Sequence, residues 1–224
     1  MKPLILAHKG GDCFGVENSI EAIKESLKHK PDIIEIDLRK STDDVIFCYH
    51  GNTFEYLLAK YFFKKPLNKL KQKYPTVATL KEIAELVQDK SILFLDIKDK
   101  SITKKEIQNI LKDIKTKEVY FASQNLNYLS NAGKLPKGWK KLCNGGVFRL
   151  KPNFSKVLEA GLDAIELFFW DFNDKNIKKL EEHNIESALA KWFLPRKTRI
   201  NKAFSKKSLF VFDYYFPALI DKKK

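Results

Sequence analysis

Residues Ile33–His50 read IIEIDLRKSTDDVIFCYH, and this stretch decides the fold. Its first half is a strand pattern whose side chains alternate between two faces. Ile34, Ile36 and Leu38 share one face, and Glu35 and Asp37 share the other. Two neighbouring carboxylates repel, and burying them unpaired is expensive, so the acidic face needs a partner. Ser41-Thr42-Asp43-Asp44 is turn chemistry, and a second apolar run, Val45–His50, follows at once. A parallel crossover needs about a dozen residues or more, which Arg39–Asp44 cannot supply. Val45–His50 therefore returns antiparallel, as a hairpin with Ile33–Leu38.

Outside this hairpin the spacing is regular. Short apolar runs at Leu4–His8, Ile33–Leu38, Ile92–Ile97, Val119–Ala122, Lys141–Cys143, Ala164–Leu167, Ser187–Ala190 and Leu209–Phe212 read as strands. Amphipathic helical segments separate them: Ser19–Lys28, Thr79–Val87, Thr103–Ile114, Asn125–Asn131, Phe154–Ala160, Asp174–His183 and Pro195–Phe204. Asn18 or Ser19 caps the first, and Thr79 with Glu82 forms a capping-box pattern. Without the hairpin return this is the strand count of an α/β protein with a (β/α)8 TIM barrel and a short hairpin insertion after strand two. A doubly wound open sheet is the alternative, weakened by the lack of a GxGxxG or Walker-type loop. We expect one domain over residues 1–224, with a small inserted segment at about 51–78.

Composition narrows the class. Hydrophobic residues make up 44%, enough for a packed core, and no apolar run is long enough to span a membrane. The apolar stretch Leu4–Ala7 is too short for a signal-peptide core, which leads us to expect a soluble, cytoplasmic protein. Three cysteines, with no CxxC pair, argue against a disulfide framework or structural zinc. The formal charge of +14 favours anionic partners, but it is nearly all lysine spread along the chain. Specific nucleic-acid readers lean on arginine, and the arginines here are Arg39, Arg149, Arg196 and Arg199, so that class is disfavoured.

In a barrel, functional groups stand at the carboxyl ends of the strands. There the chain places His8, Glu35 with Asp37, His50 on the hairpin return, Asp96 with Lys98, Ser123 and Asp213. Glu35, Asp37 and Asp96 offer three carboxylates from two strands. An all-oxygen set without histidine or cysteine selects one hard divalent cation, Mg²⁺ or Ca²⁺. His8 and His50 can divide acid and base roles near neutral pH. Lys9 and Lys98 add positive charge for an anionic substrate. Each group has a plainer reading too: a solvated edge strand for Glu35 and Asp37, an ordinary ion pair for Asp96 and Lys98.

The combination LILAHKGG, ENSIEAIKESL and IIEIDLRKSTDDVIFCYHG resembles the glycerophosphodiester phosphodiesterase family, whose pattern is His-Arg-Gly, Glu-Asn-Thr, Glu-x-Asp, a Thr-x-Asp-Gly turn and His-Asp. TVATLKEIAELV, LFLDIK and FVFDYYFP are similar to its Pro-Thr-Leu-x-Glu helix, Glu-Ile-Lys strand and closing Thr-Asp-x-Pro segment. The resemblance implies a TIM barrel that hydrolyses glycerophosphodiesters to glycerol 3-phosphate and an alcohol with a divalent cation. It implies His8 and His50 as the acid–base pair, Glu35, Asp37 and Asp96 as metal ligands, and Lys9 and Lys98 as phosphate contacts. The chain departs from the pattern at Lys9 for arginine, Asp44 for the turn glycine, Gly51 for aspartate and Asp96 for glutamate. YHG and Asp-x-Lys are also similar to sphingomyelinase D-type phospholipases, which implies a lysophospholipid or sphingolipid as an alternative substrate. A non-catalytic barrel binding anionic polymers is the third alternative.

After His50, Phe54, Leu57, Leu58, Tyr61 and Phe62 recur at helical spacing and lysines follow. The pattern fits a small helix packed on the barrel. It also fits a lid in weak contact with an anionic membrane.

Overall fold

The computed structural model describes residues 2–52, 54–55, 58–145, 149–190, 195–212 and 216–223. Strands and helices alternate: β1 (Leu4–Ala7), α1 (Ile20–Lys28), β2 (Ile33–Lys40), β3 (Ile46–Cys48), α2 (Ala59–Phe62), α3 (Leu67–Lys73), β4 (Ala78–Thr79), α4 (Leu80–Val87), β5 (Ile92–Ile97) and α5 (Lys104–Leu111). They continue as β6 (Val119–Ser123), α6 (Leu126–Asn131), β7 (Trp139–Cys143), α7 (Leu150–Glu159), β8 (Ala164–Leu167), α8 (Asp174–Glu181), β9 (Glu186–Leu189), α9 (Arg196–Ser205), β10 (Phe210–Phe212) and α10 (Pro217–Lys223).

Eight strands lie side by side in the order β10-β1-β2-β5-β6-β7-β8-β9, every neighbouring pair parallel. Between β9 and β10 the Leu209 N–H donates to the Ser187 carbonyl (2.8 Å), and the Leu189 N–H to the Ser208 hydroxyl (2.9 Å). The interior shows that the sheet curls into a barrel. Leu6, Ile33, Phe94, Tyr120, Leu142, Ala164, Ala188 and Phe210, one from each of the eight strands, belong to one buried cluster. The Phe94 and Phe210 rings meet edge to face at 5.7 Å, although three ladders separate their strands in the sheet order.

A second, larger core lies outside the strands. It joins their outward residues, such as Ile34, Ile36, Leu38, Leu95 and Phe121, to the apolar faces of the helices, such as Ile23, Ile83, Val87, Ile107, Val157 and Ile200. The alternation in β2 is thus resolved. Its isoleucine face lies under helices, and its acidic face points into the barrel.

The hairpin is present. β3 pairs antiparallel with β2, Leu38 opposite Cys48, but the return spans Ile46–Cys48 rather than Val45–His50. Ser41 closes the turn, its hydroxyl accepting from the Val45 N–H at 3.0 Å. Asp44 occupies the usual glycine position with φ 62, a left-handed conformation that Asp tolerates better than most residues. A short strand, β4, pairs with β3 and was not marked in the sequence, because its two residues directly precede a helix cap.

The segment after His50 packs differently from the helical stripe. Phe54 and Tyr61 are 62% and 63% exposed, and Leu57 lies outside the described residues. The satellite core beneath this segment is formed instead by Phe47, Phe63, Leu70 and Val77, with Tyr49, Phe62, Leu67 and Tyr74 at its margin.

Candidate active site

The acidic face of β2 enters the barrel one step beyond the interior layer. Asp37 and Asp96 are direct neighbours across the β2–β5 ladder, and Glu35 sits two residues below Asp37 on the same face. Glu35, Asp37 and Asp96 are all buried, and one oxygen from each lies within 4.8 Å of the others. The polar groups around them show what offsets this concentration of charge.

Lys98, two residues beyond Asp96, puts its ammonium between the two aspartates, against Asp96 Oδ2 and 3.2 Å from Asp37 Oδ1. Asn18 takes Asp37 from both sides. Its amide nitrogen donates to Oδ2 at 2.9 Å, and its amide oxygen accepts from the Asp37 N–H at 3.0 Å. Burial opposes ionisation of Asp37, yet Lys98, His50 and the Asn18 amide together hold its carboxyl well below the usual range. Glu35 goes the other way: burial, with Asp37 and Asp96 nearby, pushes its carboxyl well up. Burial also opposes the charge on Lys98, but Asp96 and Asp37 outweigh it and raise the ammonium.

The loop after β1 supplies the next contacts. His8–Gly10 form a tight 3₁₀ turn capped by Gly11, and Lys9, Gly10 and Gly11 take φ of 49, 74 and 101. This costly left-handed run aims the Lys9 N–H at Glu35 Oε2, 2.6 Å away. A Cβ on Gly11 would lie 1.8 Å from the Ser26 hydroxyl oxygen, on a backbone whose φ of 101 strains any other residue. The Lys9 ammonium pairs with Glu17 at 2.5 Å rather than with the acidic cluster.

Both histidines have defined ring orientations. His8 Nδ1 is 2.9 Å from Asp12 Oδ2, and His50 Nδ1 is 2.6 Å from the Gly51 carbonyl. A carboxylate and a carbonyl can only accept, so both rings carry hydrogen on Nδ1. Glu17 Oε1 lies 3.9 Å from His50 Nδ1. Arg39 is buried beyond Asp37, donating from Nε to the Tyr49 carbonyl (3.0 Å) and from a terminal nitrogen to the His50 carbonyl (2.9 Å). Its guanidinium also lies 4.2 Å from the centre of the Phe63 ring. Phe63, in the segment after His50, thereby helps to hold the end of the hairpin on which His50 stands.

The expected site residues therefore gather around one acidic cluster, with the Lys9 side chain turned to Glu17. The sequence did not single out Asp12, Glu17, Asn18 and Arg39 as site residues. Asn18 was a candidate helix cap, but Ser19 caps α1 by accepting from the Ala22 N–H, and Asn18 turns to Asp37. Asp213 lies outside the described residues. Cys48 and Cys143 are buried, and burial pushes the Cys48 thiol well up, which suits a core residue rather than a nucleophile.

The carboxylate set fits a hard divalent cation. All donors are oxygens, and the buried Oδ1 of Asp96 has no hydrogen-bond partner.

The sequence model of the glycerophosphoryl diester phosphodiesterase family matches residues 8–215. No curated protein sequence matches the chain. Among solved structures, the fold is similar to a glycerophosphodiester phosphodiesterase from Thermotoga maritima, with TM-score 0.77, 18% identity and 99% of each chain covered. It is also similar to an Oleispira antarctica phosphodiesterase in complex with the product sn-glycerol-3-phosphate, with TM-score 0.79, 20% identity and 98% and 96% of the two chains covered. A Parabacteroides distasonis glycerophosphodiester phosphodiesterase gives TM-score 0.76 at 13% identity, covering 99% and 98%.

Proposed function

The chain belongs to the glycerophosphoryl diester phosphodiesterase family, which makes it a phosphoric diester hydrolase, and on that premise we propose that it cleaves glycerophosphodiesters to glycerol 3-phosphate and an alcohol. The observation that carries this reading is the buried Glu35–Asp37–Asp96 cluster with an unpartnered oxygen on Asp96. Glu35, Asp37 and Asp96 would hold one divalent cation, Mg²⁺ or Ca²⁺. Such a cation, when bound, neutralises charge on the phosphoryl oxygens and polarises them. Residues 51–78 are an insertion in a single barrel domain in this reading.

His8 is assigned as the base. Its Asp12 partner stabilises the imidazolium that forms when Nε2 takes a proton from the glycerol hydroxyl next to the phosphate. That hydroxyl oxygen bonds to phosphorus, and the bond to the departing alcohol breaks. His50, oriented by the Gly51 carbonyl, gives its Nε2 proton to the leaving oxygen. In the second half the roles reverse. His50 takes a proton from water, water opens the cyclic phosphate, and His8 returns its proton to the glycerol oxygen. Lys98 and Lys9 are assigned to the phosphate as positive charges. They lack the bidentate fork of an arginine.

The test is release of glycerol 3-phosphate from glycerophosphocholine, with Mg²⁺, with Ca²⁺ and with EDTA. Turnover with either cation and loss in EDTA is expected. Full turnover in EDTA would remove the cation from the mechanism, and turnover of lysophosphatidylcholine or sphingomyelin in place of glycerophosphocholine would favour the phospholipase D alternative. A further reading, weak contact with an anionic lipid surface, is supported by the exposed Phe54 and Tyr61 in the lysine-rich segment after His50.

A further inference from the structure

The wall of the barrel opposite the acidic cluster carries a second pair of buried polar groups. In the ring order, β8 is four strands from β2, on the far side of an eight-strand barrel. β7 and β8 run in parallel register with Leu142 beside Ala164, both in the interior cluster. Two residues further toward the carboxyl ends, the same register sets Asn144 beside Glu166. Strand alternation turns both into the barrel, one step above the interior layer. The Asn144 N–H still donates to the Ser123 carbonyl at 3.3 Å, so strand geometry reaches this residue. Asn144 and Glu166 are only 8% and 7% exposed, and the Asn144 amide oxygen has no hydrogen-bond partner. Alanines at 122 and 188 keep the neighbouring interior walls short.

A buried amide oxygen without a donor is costly unless a ligand supplies one. Beside it stands a carboxylate, which also accepts. We propose that Asn144 and Glu166 form a subsite that receives the hydroxyl groups of the glycerol end of the diester while the phosphate lies at the acidic cluster. This rests on the phosphodiesterase reading given above. Hydroxyl groups donate to both residues at once. A quaternary ammonium head group has no hydrogen to donate, so choline cannot satisfy Asn144. A primary ammonium can, and it is the competing occupant.

The experiment compares glycerophosphocholine with its analogue lacking the terminal glycerol hydroxyl. Wild type is expected to prefer the former in kcat/KM by roughly 10- to 100-fold, because without the hydroxyl the buried amide oxygen is left without a donor. In Asn144→Ala the preference is expected to fall to within about threefold of unity. Asn144→Ser, with a shorter acceptor, reads the same ratio should the alanine variant not fold, and is expected to lower it at least about threefold. Calorimetric binding of sn-glycerol 3-phosphate and its deoxy analogue gives the ratio without turnover. A wild type that turns over glycerophosphocholine while the variants keep its preference overturns the subsite alone. So does a variant effect confined to glycerophosphoethanolamine, which would assign the pair to the head group. A wild type that neither turns over nor binds overturns the phosphodiesterase reading and the subsite with it.

Discussion

Asn18 illustrates how one side chain sets the electrostatics of the site. It has φ 60, where asparagine is among the few tolerated non-glycine residues, and it meets Asp37 through two hydrogen bonds. Substitution by alanine would mix backbone strain with loss of the amide. Asn18→Gly keeps the left-handed backbone and removes only the side chain. Partners of metal ligands typically account for about 10- to 100-fold in affinity. The Mg²⁺ or Ca²⁺ concentration for half-maximal activity is therefore expected to rise by about that factor in Asn18→Gly. An unchanged activation curve would show that Asp37 is held in place without it. Asp12 and Arg39 belong to the same scale. Neither has a periodicity that marks it in the sequence: Asp12 lies inside the glycine turn, and Arg39 reads as the polar end of a strand.

At the scale of elements, helix starts were the most legible feature. Thr79 and Thr103 each form a complete capping box, with Glu82 and Glu106. The box at α5 also ties that helix to the barrel, because Lys40 at the end of β2 reaches Glu106 at 2.6 Å. Partial burial opposes the Glu106 charge, but Lys40 and Thr103 outweigh it and hold its carboxyl below the ordinary value of 4.5. A depressed carboxyl contributes stability that is present above the unfolded-state value and disappears as pH falls through the folded-state value. Glu106→Gln is thus expected to lower stability at neutral pH by about 0.5 kcal/mol, or Tm by about 1–2 °C. The gap between variant and wild type closes below about pH 4. A gap that stays constant to pH 3 would mean that the charge plays no part. The segment after His50 was the least legible element. Its aromatic residues satisfy a helical period, yet Phe54 and Tyr61 face solvent while Phe63, Leu70 and Val77 make the core. A stripe at helical spacing marks apolar residues but not the surface that receives them.

The molecule as a whole carries a charge of +14, and among the described residues no helix is long and apolar enough to cross a membrane. Of the exposed large hydrophobic residues, Val16 lies in the loop after His8, and Phe54 and Tyr61 lie in the segment after His50. Aromatic residues among lysines suit the headgroup region of an anionic bilayer. The protein is expected to co-sediment with vesicles containing phosphatidylglycerol at about 0.05 M salt and to be released near 0.5 M, where the Debye length shrinks to a few ångströms. Phe54→Ser with Tyr61→Ser is expected to weaken that binding. Equal retention on neutral vesicles, or none on either, would dispose of the lipid contact.

By itself the sequence determined the strand count, the hairpin after β2, most helix starts and the residues of the acidic cluster. Each of these follows from spacing, alternation or local turn chemistry, which act over a few residues and are written directly in the chain. Ile33–Lys40 is the clearest case: alternation alone put Glu35 and Asp37 on one face. Only the tertiary structure decided that this face points into a barrel, that Lys98 and Asn18 share Asp37, and that Asn144 and Glu166 stand on the opposite wall. Those relations join residues far apart in the chain, and they arise only when the parallel register aligns the carboxyl ends of eight strands around one interior.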